Sequence, residues 1–248
     1  MPRFFVKQDQ ITDNLIDIIG EDAHHIARSL RMAIGDNITV CDMRGNEYLC
    51  SITGFCDDKS VSAEILETRH SENEPPVYIR LFQALPKGDK LDMIIQKAVE
   101  CGASEIIPFE SDRCIVRIRE DSEERKNERR NRIAAEAAKQ CGRSVLPEVK
   151  KSVGFNKMLE LAEESDVVLF CYEGDGTLVL GGILDELKIK NPNSIAIVIG
   201  SEGGFSIAES EAARSKGMLM TGLGKRILRT ETASGFILAC IVCAFELN

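Results

Sequence analysis

Residues 196–211, Ala-Ile-Val-Ile-Gly-Ser-Glu-Gly-Gly-Phe-Ser-Ile-Ala-Glu-Ser-Glu, permit few folds. The β-branched run Ile195, Ile197, Val198 and Ile199 has the character of a buried strand and stops at Gly200. Ser206 with Glu209 three residues later is a capping-box signature, so a helix should start there. The five intervening residues, Gly200-Ser201-Glu202-Gly203-Gly204, have side chains that let a ligand approach the main chain. A second strand-loop-helix unit follows: an apolar run over 218–223, Gly224-Lys225-Arg226, then Ile227 to Thr232 and an apolar helix. Two glycine-marked loops leaving strand ends imply one shared site at the carboxyl edge of a sheet.

Upstream of these loops, strands and helices alternate from Val77 onward. Strands are expected at 77–84, 104–108, 167–171, 195–199 and 218–223, and helices at 89–101, 122–141, 155–163, 178–188, 206–215 and 233–245. Alternation with β-branched runs argues for a mainly parallel α/β sheet flanked by helices. The first 70 residues differ, with short strand candidates at 4–6, 38–41, 48–53 and 60–66 and one helix over 21–30. A small β-barrel fits that segment. The polar, proline-terminated stretch 71–76 is the expected linker, followed by a large domain over 77–248.

A third loop, Tyr172-Glu173-Gly174-Asp175-Gly176-Thr177, follows the strand at 167–171 and should open on the same edge. None of these loops is GxGxxG or a P-loop, and Glu202 would repel a pyrophosphate. A ligand with an adenosine end and no phosphates suits them better. All three histidines lie before residue 71, so no Ser/His/Asp or Cys/His set is available.

The net charge of −9 argues against unselective affinity for nucleic acid. Yet residues 113–143 hold ten Lys or Arg against six acids, either a helix face laced with ion pairs or a stripe facing phosphates. Lys225, Arg226 and Arg229 pose the same choice between helix-end salt bridges and contact with RNA or a substrate oxygen. Nine scattered cysteines, an odd number, fit reduced thiols, and Cys240 and Cys243 are expected to pack in the core of the last helix. No apolar run reaches membrane-spanning length and no secretory signal begins the chain, so a cytoplasmic protein without membrane or metal partners is expected.

The chain resembles the RsmE family of 16S ribosomal RNA (uracil-N3) methyltransferases, in the SPOUT superfamily. The likeness runs through Arg3-Phe4-Phe5, His25 to Met32 with Gly35-Asp36, Lys87-Gly88 to Lys97, Glu100 with Gly102, and Glu136 to Gln140 with Arg143. Its most specific stretches are Ile199 to Phe205 with Glu209, and Leu223 to Ala233. The resemblance implies a PUA-like N-terminal barrel, a trefoil-knotted SPOUT domain, a homodimer, and S-adenosylmethionine held by the knot loops. It departs from the family at Ser201, where proline is usual, and at Cys101, where leucine is usual.

On this reading Arg229 and Glu231 are the candidate catalytic residues. The cofactor pocket falls to Tyr172, Glu173, Gly200, Ser201, Glu202, Gly203, Gly204, Leu223, Gly224, Arg226, Ile227 and Leu228. Contacts with 16S ribosomal RNA of the small subunit fall to Arg3, Arg28, Arg31, Lys87, Arg113, Arg143 and Lys225. A methyltransferase for another RNA, a non-catalytic RNA-binding module and an NAD-dependent α/β enzyme are the alternatives, the last lacking a phosphate-binding loop.

Overall fold

In a computed structural model that describes residues 1–56 and 59–247, the chain divides into two compact units. The first comprises Met1–Glu74 with Ala138–Leu146, and the second Pro75–Ala137 with Pro147–Asn248. In chain order the first unit contains β1 (Arg3–Phe5), β2 (Ile11–Thr12), β3 (Leu15–Ile19), α1 (Glu21–His24) running into a π-helical turn (His25–Ser29), β4 (Asn37–Cys41), β5 (Asn46–Cys56) and β6 (Ser60–His70). These strands form one mixed sheet in the order β1-β4-β5-β6-β3-β2, with only β1 and β4 parallel. Ile16, Ile18, Ile38, Val40, Ile52, Val61 and Ala63 point to one side and bury a core against Ala23 and Ile26.

Residues 71–74 are ordered by specific contacts. Ser71 N–H donates to the Gly45 carbonyl, Asn73 Nδ2 donates to the Gly142 carbonyl, and Glu74 Oε1 accepts from the N–H groups of Ser144 and Val145.

The second unit contains β7 (Tyr78–Ala84), α2 (Lys90–Glu100), β8 (Glu105–Glu110), α3 (Glu120–Cys141), β9 (Glu148–Val149), β10 (Val153–Gly154), α4 (Phe155–Ala162), β11 (Val167–Cys171), β12 (Leu178–Val179), α5 (Leu180–Lys190), β13 (Ser194–Ile199), α6 (Ile207–Ser215), β14 (Leu219–Gly222) and α7 (Thr230–Phe245). Its sheet runs β10-β8-β7-β13-β11-β14-β12, with β9 beside β8, and every pairing is parallel. The central strands are buried on both faces, which is why they are continuous apolar runs without alternation. On α2 the buried stripe is Leu91, Ile94, Ile95, Ala98 and Val99. Gly102 ends that helix at φ 83°, a conformation that costs glycine little.

Candidate active site

Because the sheet is wholly parallel, five loops leave its carboxyl edge: 85–89 after β7, 111–119 after β8, 172–177 after β11, 200–206 after β13 and 223–229 after β14. β13 lies between β7 and β11, and β14 lies on the other side of β11, so the three glycine-marked loops come from neighbouring strands.

The loop after β13 is moored at several points. Phe205 is buried, its ring 4.3 Å from that of Phe170 and 6.3 Å from those of Phe109 and Phe155. Ser206 N-caps α6: its Oγ accepts from Glu209 N–H, and Glu209 Oε2 accepts from Ser206 N–H at 2.8 Å. The buried Glu209 also accepts from Asp112 N–H, which ties the loop after β8 to this corner. Within the loop Gly204 N–H donates to the Ser201 carbonyl at 2.9 Å, with Gly204 at φ 64°. Gly203 lies directly against the next loop: an added Cβ would sit 2.9 Å from Arg113 Cβ and 3.1 Å from the Arg113 carbonyl oxygen. Arg113 Nη1 in turn donates to the Gly203 carbonyl.

A buried hydrogen-bond chain joins the two C-terminal loops. Gln83 Nε2 donates to Thr230 Oγ1 at 2.9 Å, and Thr230 Oγ1 donates to the Gly200 carbonyl at 2.6 Å. This fixes the start of α7 to the end of β13. Gln83 Oε1 and Ser201 Oγ are buried beside this chain without a hydrogen-bond partner among the described residues. Arg229 occupies the N-cap position of α7, extended and exposed, and Glu231 is in the first turn.

The charges at this corner are organised by Lys90, at the start of α2. Its Nζ lies 3.0 Å from Glu202 Oε1 and 3.2 Å from Glu231 Oε2. Burial alone would raise the Glu202 carboxyl, but Lys90 and the N–H groups of Glu202 and Lys87 outweigh it and hold the group below its ordinary value. Glu231 is also lowered, first by its own N–H at the helix start and then, against some desolvation, by Lys90 and Arg229. The Lys90 ammonium is raised, chiefly by Glu202. All three groups are therefore charged at neutral pH.

The remaining expected cofactor residues lie around this corner. The Tyr172 ring folds over Gly174, so a β-carbon there would require the ring to move, and Glu173 is exposed. Tyr172 N–H donates to the Thr221 carbonyl, holding the loop after β11 against β14. Leu223 and Leu228 are half-buried, whereas Gly224, Arg226 and Ile227 are exposed, Ile227 by 83%. Gly224 has φ 105°, which a β-carbon would strain.

Among the residues expected to meet RNA, Arg28, Arg31, Lys87, Arg113 and Lys225 are exposed. Arg3 and Arg143 are not placed that way. The Arg143 side chain is 5% exposed and bridges Glu74 at 2.7 Å; Arg3 is 12% exposed, 2.7 Å from Glu47. Both brace the first unit from within, so the expectation that they face phosphates is corrected.

The basic stretch 113–143 is likewise partly neutralised, mostly by acids outside it. Arg130 pairs with Glu123, Arg117 with Glu110, Lys139 with Asp22 and Arg129 with Asp92. Cys243, expected in the core, is exposed on α7, because the last helix buries only one of its apolar faces.

Sequence reasoning missed Lys90, Gln83 and Thr230. Thr230 and Lys90 lay within stretches already singled out, but neither was given a role; Gln83 acts through the adjacency of β7 and β13, where it stands opposite Ile199.

A family model described as an RNA methyltransferase domain matches residues 73–242, and one described as an RNA methyltransferase PUA domain matches residues 18–66. The chain is 35% identical over its whole length to the ribosomal RNA small subunit methyltransferase E of Bacillus subtilis (strain 168), covering 98% of that protein. Its fold matches the crystal structure of ribosomal RNA small subunit methyltransferase E from Neisseria gonorrhoeae bound to S-adenosyl methionine, with a TM-score of 0.84, 30% identity, and coverage of 99% of this chain and 98% of that one. A Legionella pneumophila methyltransferase in complex with bound SAM matches with a TM-score of 0.83 at 28% identity, covering 98% and 97% of the two chains.

Proposed function

The chain belongs to the ribosomal RNA small subunit methyltransferase E family, an S-adenosylmethionine-dependent group, and on that premise we propose that it methylates N3 of a uridine in 16S ribosomal RNA at the carboxyl-edge site. The Thr230–Gly200 hydrogen bond carries this reading, because it joins the two glycine-marked loops into one pocket wall.

The residues present suit the cofactor. At Gly204 nothing lies within 4 Å of where a β-carbon would stand, which leaves room for an adenosine, and the buried Ser201 hydroxyl and Gln83 oxygen are unpartnered among the described residues. Acidic Glu202 and Glu231 favour a cationic, phosphate-free molecule. Gly200, Ser201, Glu202, Gly203, Gly204, Leu223, Gly224, Arg226, Ile227 and Leu228 hold it, with Tyr172 and Glu173 closing one side. When bound there, S-adenosylmethionine supplies a methyl group on a sulfonium centre.

The chain's own task is to present a nucleophilic nitrogen. Uracil N3 is weak while it keeps its proton and lies on the Watson–Crick edge, so the base must be unpaired or turned out of its helix. Arg229 stabilises the negative charge that develops on a uracil oxygen as the N3 proton leaves. Glu231, kept charged beside Lys90 and Arg229, orients Arg229 or relays the proton. Arg28 and Arg31 in the first unit, and Lys87, Arg113 and Lys225 in the second, meet RNA phosphates, so binding weakens as salt rises.

The protein acts as a cytoplasmic homodimer with a knotted C-terminal domain. Helix α7 carries no charge after Glu231, yet Phe236 and Cys243 are exposed on the chain itself, an apolar face that a second copy would cover. The deciding experiment is transfer of tritiated methyl to small-subunit RNA from cells lacking the protein, with the nucleoside identified by mass spectrometry. Label in 3-methyluridine supports the reading, and label in any other nucleoside overturns it.

A further inference from the structure

Three segments contribute one charge each to a single cluster: Lys90 from the start of α2, Glu202 from the loop after β13, and Glu231 from α7. Two carboxylates share one ammonium, and Glu231 Oε2 is a buried oxygen with the Lys90 Nζ 3.2 Å away. Nothing in the mooring of the loop after β13 requires this cation. Phe205, the Ser206–Glu209 cap, the Arg113 contact and the Thr230–Gly200 bond already fix its backbone. The cluster must therefore serve the carboxylates themselves.

We propose that Lys90 is a positioning residue for methyl transfer, gathering Glu202 and Glu231 around one ammonium and so setting the direction of Glu231 and of Arg229 beside it. The inference rests on the site reading above. Lys90 needs no contact with substrate for this role. Without its charge, Glu202 and Glu231 are two like charges at one corner, and Glu231 turns away from Glu202. A displacement of about 1 Å in such a group costs on the order of a hundredfold in rate.

The test compares Lys90→Met and Lys90→Arg, with turnover on small-subunit RNA and calorimetric binding of S-adenosylhomocysteine measured for each. Lys90→Met should lose on the order of a hundredfold in kcat while S-adenosylhomocysteine binding stays near wild type. Lys90→Arg, which keeps the cation, should recover most of the turnover.

Unchanged turnover in Lys90→Met overturns the proposal. So does a loss that Lys90→Arg does not restore, an equal loss of S-adenosylhomocysteine binding, or a Lys90→Met chain that no longer folds, since each makes the ammonium either idle or a plain structural strut. Failure of the site reading looks different: the wild-type protein itself would not bind S-adenosylhomocysteine.

Discussion

Thr230 Oγ1 donates a 2.6 Å hydrogen bond to the carbonyl of Gly200, thirty residues earlier in the chain. The hydroxyl also accepts from buried Gln83, so one side chain satisfies a strand end and an amide at once. Thr230→Val keeps the shape but leaves both groups unpartnered. It should destabilise the protein by about 1–3 kcal/mol and weaken S-adenosylhomocysteine binding, whereas Thr230→Ser should do neither. Thermal unfolding and calorimetry on the two variants check this; equal behaviour of Val and Ser would refute the role given to the hydroxyl.

Glycine substitutions should separate close approach from simple flexibility. At Gly203 a β-carbon meets the Arg113 main chain, which cannot yield without moving the loop after β8. Gly203→Ala should therefore weaken cofactor binding while the fold remains. Gly182, exposed on α5, faces open space, and Gly182→Ala should stabilise the chain by about 0.5–1 kcal/mol. Loss of cofactor affinity in Gly182→Ala, or its retention in Gly203→Ala, would count against the assigned pocket.

The parallel strands were legible because burial on both faces leaves unbroken β-branched runs: 167–171 coincides with β11, and 195–199 differs from β13 by one residue. β3 was missed although Ile16 and Ile18 alternate inward, because Leu15 and Ile19 are apolar on its exposed side and hide the period of two. β9, β10 and β12 are too short, at two residues each, to leave any pattern.

At the site, the turn residues and the Ser206–Glu209 cap announced their local geometry. Lys90 did not, since a lysine opening a helix resembles ordinary solvated surface until β7 is known to lie beside β13. Charge without burial misled in the other direction at Arg3 and Arg143, which are counter-ions of Glu47 and Glu74.

The Glu47 carboxylate gives the first unit an acid-sensitive brace. Burial would raise its pKa, but hydrogen bonds from Arg3, Ser71 and Arg69, together with the Arg3 charge, bring it below the ordinary 4.5. A carboxyl lowered on folding contributes stability that is present above its unfolded value and is lost as pH falls through the folded one. The melting temperature should thus drop between about pH 5 and pH 3, and Glu47→Gln, less stable at neutral pH, should show a shallower drop. Circular dichroism melts across this range provide the measurement, and parallel curves for the two proteins would remove Glu47 from the account.

Arg229 is the sharpest test of the chemistry. It N-caps α7 without a side-chain cap hydrogen bond, and its exposed guanidinium contributes to holding Glu231 charged. Truncating it should cost the fold little. If the guanidinium meets the oxygen of a uracil losing its N3 proton, Arg229→Ala removes an interaction made mainly in the transition state. Turnover should then fall by about a hundredfold, with S-adenosylhomocysteine affinity nearly unchanged. Arg229→Lys should recover only part of the rate, because a point charge replaces a planar fork. Wild-type turnover in purified Arg229→Ala would move anion stabilisation to the neighbouring cations Lys225 and Arg226, whose variants would then be measured in the same assay.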